Sequence, residues 1–189
     1  MDHHEELRNL IANSPLFTRM LRAVRVLDPP DWVIGAGAVR SLVWNHLHGY
    51  GEHATFRDVD VAFFDPEDLS PRREIALENM LRQLMPEVRW EVKNQAAVHL
   101  WYERKFGLAV GRLVSIEDAV ATWPETCTCV GVRLQHDDHI ATVAPFGLED
   151  LFQLVLRRNP RRVSHEQFLK RARVKEIRER WPRVQILDA

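Results

Sequence analysis

Cysteine is scarce in this chain: two residues among 189, Cys127 and Cys129. So few cysteines exclude a disulfide-built scaffold, and they match a reducing compartment. Long apolar runs are absent too. Every hydrophobic stretch is broken by charge well short of the length a membrane span needs. The first residues, Met1-Asp2-His3-His4-Glu5-Glu6, are acidic and carry no apolar core of a secretory leader, so a cytoplasmic location is expected. Repeats and low-complexity tracts are missing. So are two familiar phosphate-binding signatures. No Gly-Lys-Ser/Thr follows a glycine-rich loop, and the third glycine of a dinucleotide fingerprint would fall at Arg40.

What is present is ordinary globular material. Apolar residues make up 46% of the chain and net charge is −1, which suits one domain with a real core. The charge is unevenly spread. From Arg157 to Arg183 there are 11 Lys/Arg against 3 acids, whereas residues 1–156 hold 15 against 23. Such a basic tail offers contact with nucleic acid or phosphate. It has few aromatics to interleave with bases, so a solvated helix face with pairs such as Arg171–Lys175 flanked by Glu176 and Glu179 is the preferred reading.

The chemistry concentrates in Phe56-Arg57-Asp58-Val59-Asp60-Val61-Ala62-Phe63-Phe64. A run this apolar reads as a buried strand. Alternation then puts Asp58 and Asp60 on one face, with Val59 and Val61 on the other. Two carboxylates on one face repel each other and desolvate poorly, so something must compensate them. Pairing with an arginine such as Arg57 is one answer. A divalent cation is the other, since Mg²⁺ needs few carboxylates and completes its shell with water and phosphate oxygens.

Two further segments favour the cation. Upstream, Asp31 to Trp44 reads as a short strand, a tight turn at Gly35-Ala36-Gly37, then a helix. Gly35 and Gly37 are expected to supply positive φ, and the helix start offers free N–H groups to a phosphate. Downstream, Val88-Arg89-Trp90-Glu91-Val92 alternates like a strand with Glu91 at its centre, a third candidate carboxylate.

Strand, glycine turn and helix, then Asp-x-Asp on the next strand and an acid on a later one: this order resembles the polymerase-β-like nucleotidyltransferase superfamily. Within it the chain is similar to a group of small bacterial nucleotidyltransferase-family proteins. The stretches that carry the likeness are 35–40, 57–65, 90–95, 98–102 and 144–151, within roughly residues 30–160. One position departs: Ala36 stands where the superfamily usually has a second Gly or a Ser. The resemblance implies a mixed α/β sheet flanked by helices, here in a single domain over 1–189, with the sheet core at 30–145 and C-terminal helices at 146–189. It implies transfer of a nucleoside monophosphate from a nucleoside triphosphate to an acceptor hydroxyl, with release of pyrophosphate. Asp58, Asp60 and Glu91 would hold Mg²⁺ or Mn²⁺, two ions in all. Gly35, Ala36, Gly37 and Arg40 would cradle phosphates, and Lys93, Asn94 and Gln95 would face the acceptor, whose identity is open. The rival reading is a nucleotide- or partner-binding module that has lost catalysis. Metal-dependent phosphate hydrolysis ranks third.

The remaining elements follow from caps and breakers. Helices are expected at 4–12, from Ser14-Pro15 to Leu27, at 71–85, from Ser115 to Thr122, at 147–157 and at 164–180. Strands at 127–134 and 139–143 would form a hairpin, placing both cysteines on one strand face.

Overall fold

The structure, a computed structural model, describes residues 2–51, 56, 58–107 and 109–187. Serine and proline signals set most helix starts where the sequence puts them. Helix α1 (His3–Ala12) is capped by Asp2, and α2 (Pro15–Leu27) by Ser14, whose Oγ accepts from the Phe17 N–H. Strand β1 (Val33–Gly35) leads into α3 (Gly37–Leu47). Strand β2 (Val59–Phe63), helix α4 (Pro71–Leu84) and strand β3 (Trp90–Asn94) follow. A 3₁₀ turn (Gln95–Leu100) and the short α5 (Tyr102–Phe106) resolve the irregular stretch after β3. Next come α6 (Ile116–Val120), capped by Ser115, and the hairpin β4 (Gly131–Leu134) and β5 (Ile140–Val143).

The sheet is mixed, in the order β3-β2-β1-β4-β5. Strands β2 and β3 run parallel, and the other neighbours are antiparallel. One face is the main core. Ile34, Val59, Val61, Phe63, Trp90 and Val92 are all buried there against the first four helices. On the other face, Val33 and Ala62 meet Ile116, Val120 and Cys129 of α6 and its neighbourhood. That second layer is small, and beside it the sheet opens into a cleft.

The C-terminal region departs from expectation. A helix over 147–157 is replaced by one turn, α7 (Glu149–Phe152), then strand β6 (Val155–Arg157). Strand β6 pairs in parallel with β7 (Gln185–Leu187), a partner some thirty residues away that no local pattern announces. The last helix is broken in two. Helix α8 (His165–Val174) begins with the expected Ser164–Gln167 capping box. It stops at Lys175, because Glu176 adopts a left-handed conformation (φ 52°) before α9 (Ile177–Arg180). The cysteines are also rearranged. Residues Thr126–Thr128 form a 3₁₀ turn held by the Thr128 hydroxyl donating to the Glu125 carbonyl, so Cys127 and Cys129 enter different clusters of the core. Both are buried free thiols. No helix of the described residues is long and apolar enough to cross a membrane.

Candidate active site

The strand register brings two of the three predicted acids together. Asp60 is the direct neighbour of Glu91 on β3 and of Gly35 on β1. Parallel in-register partners point the same way, so both carboxylates face the cleft. Asp58 lines the same cleft. It lies just ahead of β2, exposed, and pairs with Arg89 Nε at 3.0 Å. The alternative partner Arg57 lies outside the described residues. Burial first, then the charges of Glu91 and Asp58, raise the Asp60 carboxyl to about 6. Lys175 and Arg171 oppose the shift.

Those two cations belong to the opposite wall of the cleft, which sequence reasoning missed. Helix α8 turns Phe168 and Ala172 into the core. Arg171 and Lys175 follow on the same stripe and therefore meet the cleft rather than bulk water. For these two residues the solvated-face reading fails, whereas Lys170 and Arg173 on the same helix are exposed as it expects. The signal was available: both positions flank buried apolar residues at helical spacing. Arg171 donates from Nε to the buried Glu125 carboxylate at 2.8 Å. Burial alone would push Glu125 up, but Arg171, Lys175 and Arg40 together carry it below the usual carboxylate range. Burial, and then the charge of Arg40, pull Lys175 below its ordinary value.

Arg40 completes this wall. It is 3% exposed, and its guanidinium lies 5.4 Å from the Trp44 ring and 4.8 Å from the Trp181 ring. Both indoles are fixed by hydrogen bonds, Trp44 Nε1 to the Leu151 carbonyl and Trp181 Nε1 to Asn45 Oδ1, each 2.8 Å. Arg40 Nε and Nη1 have no hydrogen-bond partner among the described residues. A buried guanidinium with two unpaired nitrogens retains donor capacity for an incoming anion.

The turn between β1 and α3 works differently from its sequence reading. Positive φ falls on Ala36 (φ 51°, ψ −118°), and on neither Gly35 nor Gly37. For a residue with a Cβ that conformation costs about 1–3 kcal/mol. Gly35 is glycine for packing: a Cβ there would sit 2.5 Å from the Trp123 ring and 2.9 Å from the Val130 carbonyl oxygen. Ala36 and Gly37 remain at the cleft, at the start of an eleven-residue helix with no side-chain cap. The uncapped N–H groups and the helix dipole favour an anion there.

The proposed acceptor residues separate. Asn94 is 1% exposed and wholly committed: its amide donates to the Asp65 and Asp68 carbonyls, and its oxygen accepts from the Asp65 and Ala96 N–H groups. It is a loop anchor and touches no ligand space. Lys93 and Gln95 do line the cleft, with Lys93 also 3.2 Å from Glu74.

A metal would find two facing carboxylates here. Among the described residues no three His, Cys, Asp or Glu side chains gather closely enough to hold one ion. Asp60 with Glu91 still meets the requirement of Mg²⁺, which binds through one or two carboxylates and takes its other oxygens from water and phosphate.

A family model described as nucleotidyltransferase matches residues 22–186. No curated protein matches the chain. The chain is similar to a solved structure described as "The NMR structure of the protein reveals a CCA-adding enzyme head domain". The TM-score is 0.79 at 29% identity, over 98% of this chain and 96% of that one. A second is described as "The complex structure of CCA-adding enzyme with CTP", with TM-score 0.55, 14% identity, and coverage of 99% of this chain but 43% of the other. A third, "tRNA-processing enzyme (apo form I)", gives TM-score 0.51 and 16% identity over 93% of this chain and 44% of that one. The chain therefore spans less than half the length of those two larger proteins, and at such identities they share its fold.

Proposed function

This chain belongs to the nucleotidyltransferase family, and from that premise we propose a metal-dependent transfer of a nucleoside monophosphate from a nucleoside triphosphate to an acceptor hydroxyl. The observation that carries the proposal is the opposition across one cleft of Asp60 and Glu91 on the sheet to Arg40, Arg171 and Lys175 on the helices.

A triphosphate needs cations at its oxygens and a place for its charge to develop. Arg40, Lys175 and the start of α3 supply the first. Arg171 contributes while its Nε stays on Glu125. Asp60 and Glu91 would hold Mg²⁺ or Mn²⁺, as one ion or two, which when bound would supply Lewis-acid stabilisation and a lowered pKa of the attacking hydroxyl. Glu91, exposed on the edge strand, would ligate a metal or accept the acceptor's proton. The new bond joins acceptor oxygen to the α-phosphorus, and the bond from that phosphorus to pyrophosphate breaks. A protein of this fold is described in complex with CTP, which makes CTP the first nucleotide to try.

The test is calorimetry with CTP, ATP, GTP and UTP, each with and without Mg²⁺. At least one should bind only with metal, and Asp60→Asn, shown folded by circular dichroism, should lose that binding. If no nucleotide binds with either Mg²⁺ or Mn²⁺, the proposal fails. The reading as a non-catalytic binding module draws on Ala36, which lacks a hydroxyl for phosphate, and on the Arg89 pairing of Asp58. It predicts nucleotide binding that survives Asp60→Asn.

A further inference from the structure

Beside the acidic cleft lies a second cavity of about 420 Å³, and Lys93, Gln95, Trp123, Pro124 and Arg171 line both. Its far wall is aromatic. Trp101, Tyr102 and Phe106 form a cluster with ring centroids 4.6–6.4 Å apart. The Arg162 guanidinium lies 4.7 Å from the Tyr102 ring, and Lys170 stands exposed at the edge. No acid lines this cavity among the described residues, although its neighbour holds four.

We propose that this cavity seats the acceptor, and that the acceptor is a small planar anion. The inference rests on the transferase reading above and names its second substrate. Three observations converge. The volume is that of a small-molecule site rather than a macromolecular groove. Ring faces beside Arg162 and Lys170 favour a molecule that is both flat and negative. The entrance is also correctly placed. Lys93 is two residues beyond Glu91 on β3, on the same strand face, so a molecule in the aromatic cavity presents an oxygen toward the acid that would take its proton. Of the cations assigned to the nucleoside triphosphate, Arg40 and Lys175 line the acidic cleft and not this cavity. A neutral nucleobase would gain from the rings and from hydrogen bonds to Lys and Arg, whereas an anionic acceptor gains charge-assisted contacts as well and meets no repelling acid.

Ligand-observed NMR tests this with 2-naphthyl phosphate as the planar anion and 2-naphthol as its neutral counterpart. The full chain is used without metal, then with Mg²⁺ and a nucleoside triphosphate. Naphthyl phosphate should bind about tenfold more tightly than naphthol, a margin one well-placed charge contact supplies. Lys170→Glu, an exposed charge reversal that leaves the core untouched, should lower that affinity by about tenfold, as should Trp101→Ala by loss of stacking. Binding should persist in Asp60→Asn and in the presence of nucleotide. Equal affinity for both probes overturns the proposal, as do unchanged affinities in the two cavity variants. Displacement by nucleotide overturns it in favour of a nucleobase site, and binding confined to oligonucleotides overturns it in favour of a nucleic-acid acceptor. Failure of the transferase reading appears separately, as the absence of metal-dependent nucleotide binding in the same samples.

Discussion

The two walls of the cleft are built by different kinds of rule. On the sheet wall, a period of two puts Asp60 beside Glu91 once β2 and β3 are parallel and in register. Nothing beyond the strands is required. On the helical wall, Arg40, Arg171 and Lys175 come from segments about 130 residues apart, and tertiary docking joins them. Trp181 packs edge-on against Trp44, with centroids 5.3 Å apart, and so closes the wall over Arg40. Glu125 holds Arg171 from a turn between them. The sheet wall gathers its negative charge by strand alignment alone, against burial and like-charge repulsion at Asp60. The helical wall must bury positive charge, which requires a hydrogen-bonded carboxylate and two indole faces.

The largest expected effect falls on the sheet wall. Asp60→Asn should reduce nucleotidyl transfer by about a thousandfold or more, roughly 4 kcal/mol of transition-state stabilisation. Asp58→Asn should cost much less, since Asp58 is exposed and already paired with Arg89. Single-turnover rates with radiolabelled nucleotide measure both. Equal losses would mean that Asp58 leaves Arg89 when substrate binds, and the wall would then hold three working acids rather than two.

The same contrast explains how much of the molecule could be read in advance. Caps at Ser14, Ser115 and Ser164 and the apolar period of β2 are local signals, and the structure follows them. The misses are all non-local. Leu154-Val155-Leu156 is an apolar run too short to tell helix from strand, and the pairing of Val155–Arg157 with residues 185–187 decides the matter. Positive φ falls on Ala36, while the preceding glycine is required where Trp123 packs against it. Asn94 looks like a polar strand end, yet its amide is wholly used in anchoring Asp65 to Asp68. At the site, Asp60 and Glu91 were legible as residues on strands. Of the cations facing them Arg40 was legible too, whereas the helical spacing of Arg171 and Lys175 beside Phe168 and Ala172 marks them as neighbours of the core without showing which site lies at its edge.

A second expectation uses pH to sharpen the comparison. Folding raises the Asp60 carboxyl from an ordinary 3.8 to about 6. Between those values the folded state binds the proton more tightly than the unfolded chain does. Stability from this group is therefore full below about pH 4 and lost as pH rises through about 6. The loss in metal-free protein is about 1–3 kcal/mol, allowing for partial solvent screening. Asp60→Asn should remove it, so the variant is the more stable protein at pH 7.5 although it is the less active one. Urea unfolding in a chelator from pH 4 to 7.5, read as the difference between the two proteins, isolates this group from the paired carboxylates. Unfolding curves that stay parallel across the window would show that the cations opposite already neutralise Asp60.

The smallest expected effect tests whether the helical wall binds phosphate or only braces the fold. Lys175 caps α8, its backbone N–H bonding the Arg171 carbonyl, while its side chain faces the cleft. Lys175→Met keeps the stem and removes the charge, so packing is preserved. Nucleotide affinity in the presence of metal should fall about tenfold, near 1.4 kcal/mol, the worth of one charge-assisted contact. Turnover at saturating nucleotide should change less than affinity does, because this contact holds the ground state and the transition state alike. Removing Lys175 also removes a charge that opposes the upward shift of Asp60. The stability loss with rising pH should then deepen and move to higher pH. Calorimetry and the unfolding series read these two consequences independently. If the pH window moves while nucleotide affinity stays constant, Lys175 serves only to neutralise the acids, and phosphate binding falls to Arg40 and the start of α3.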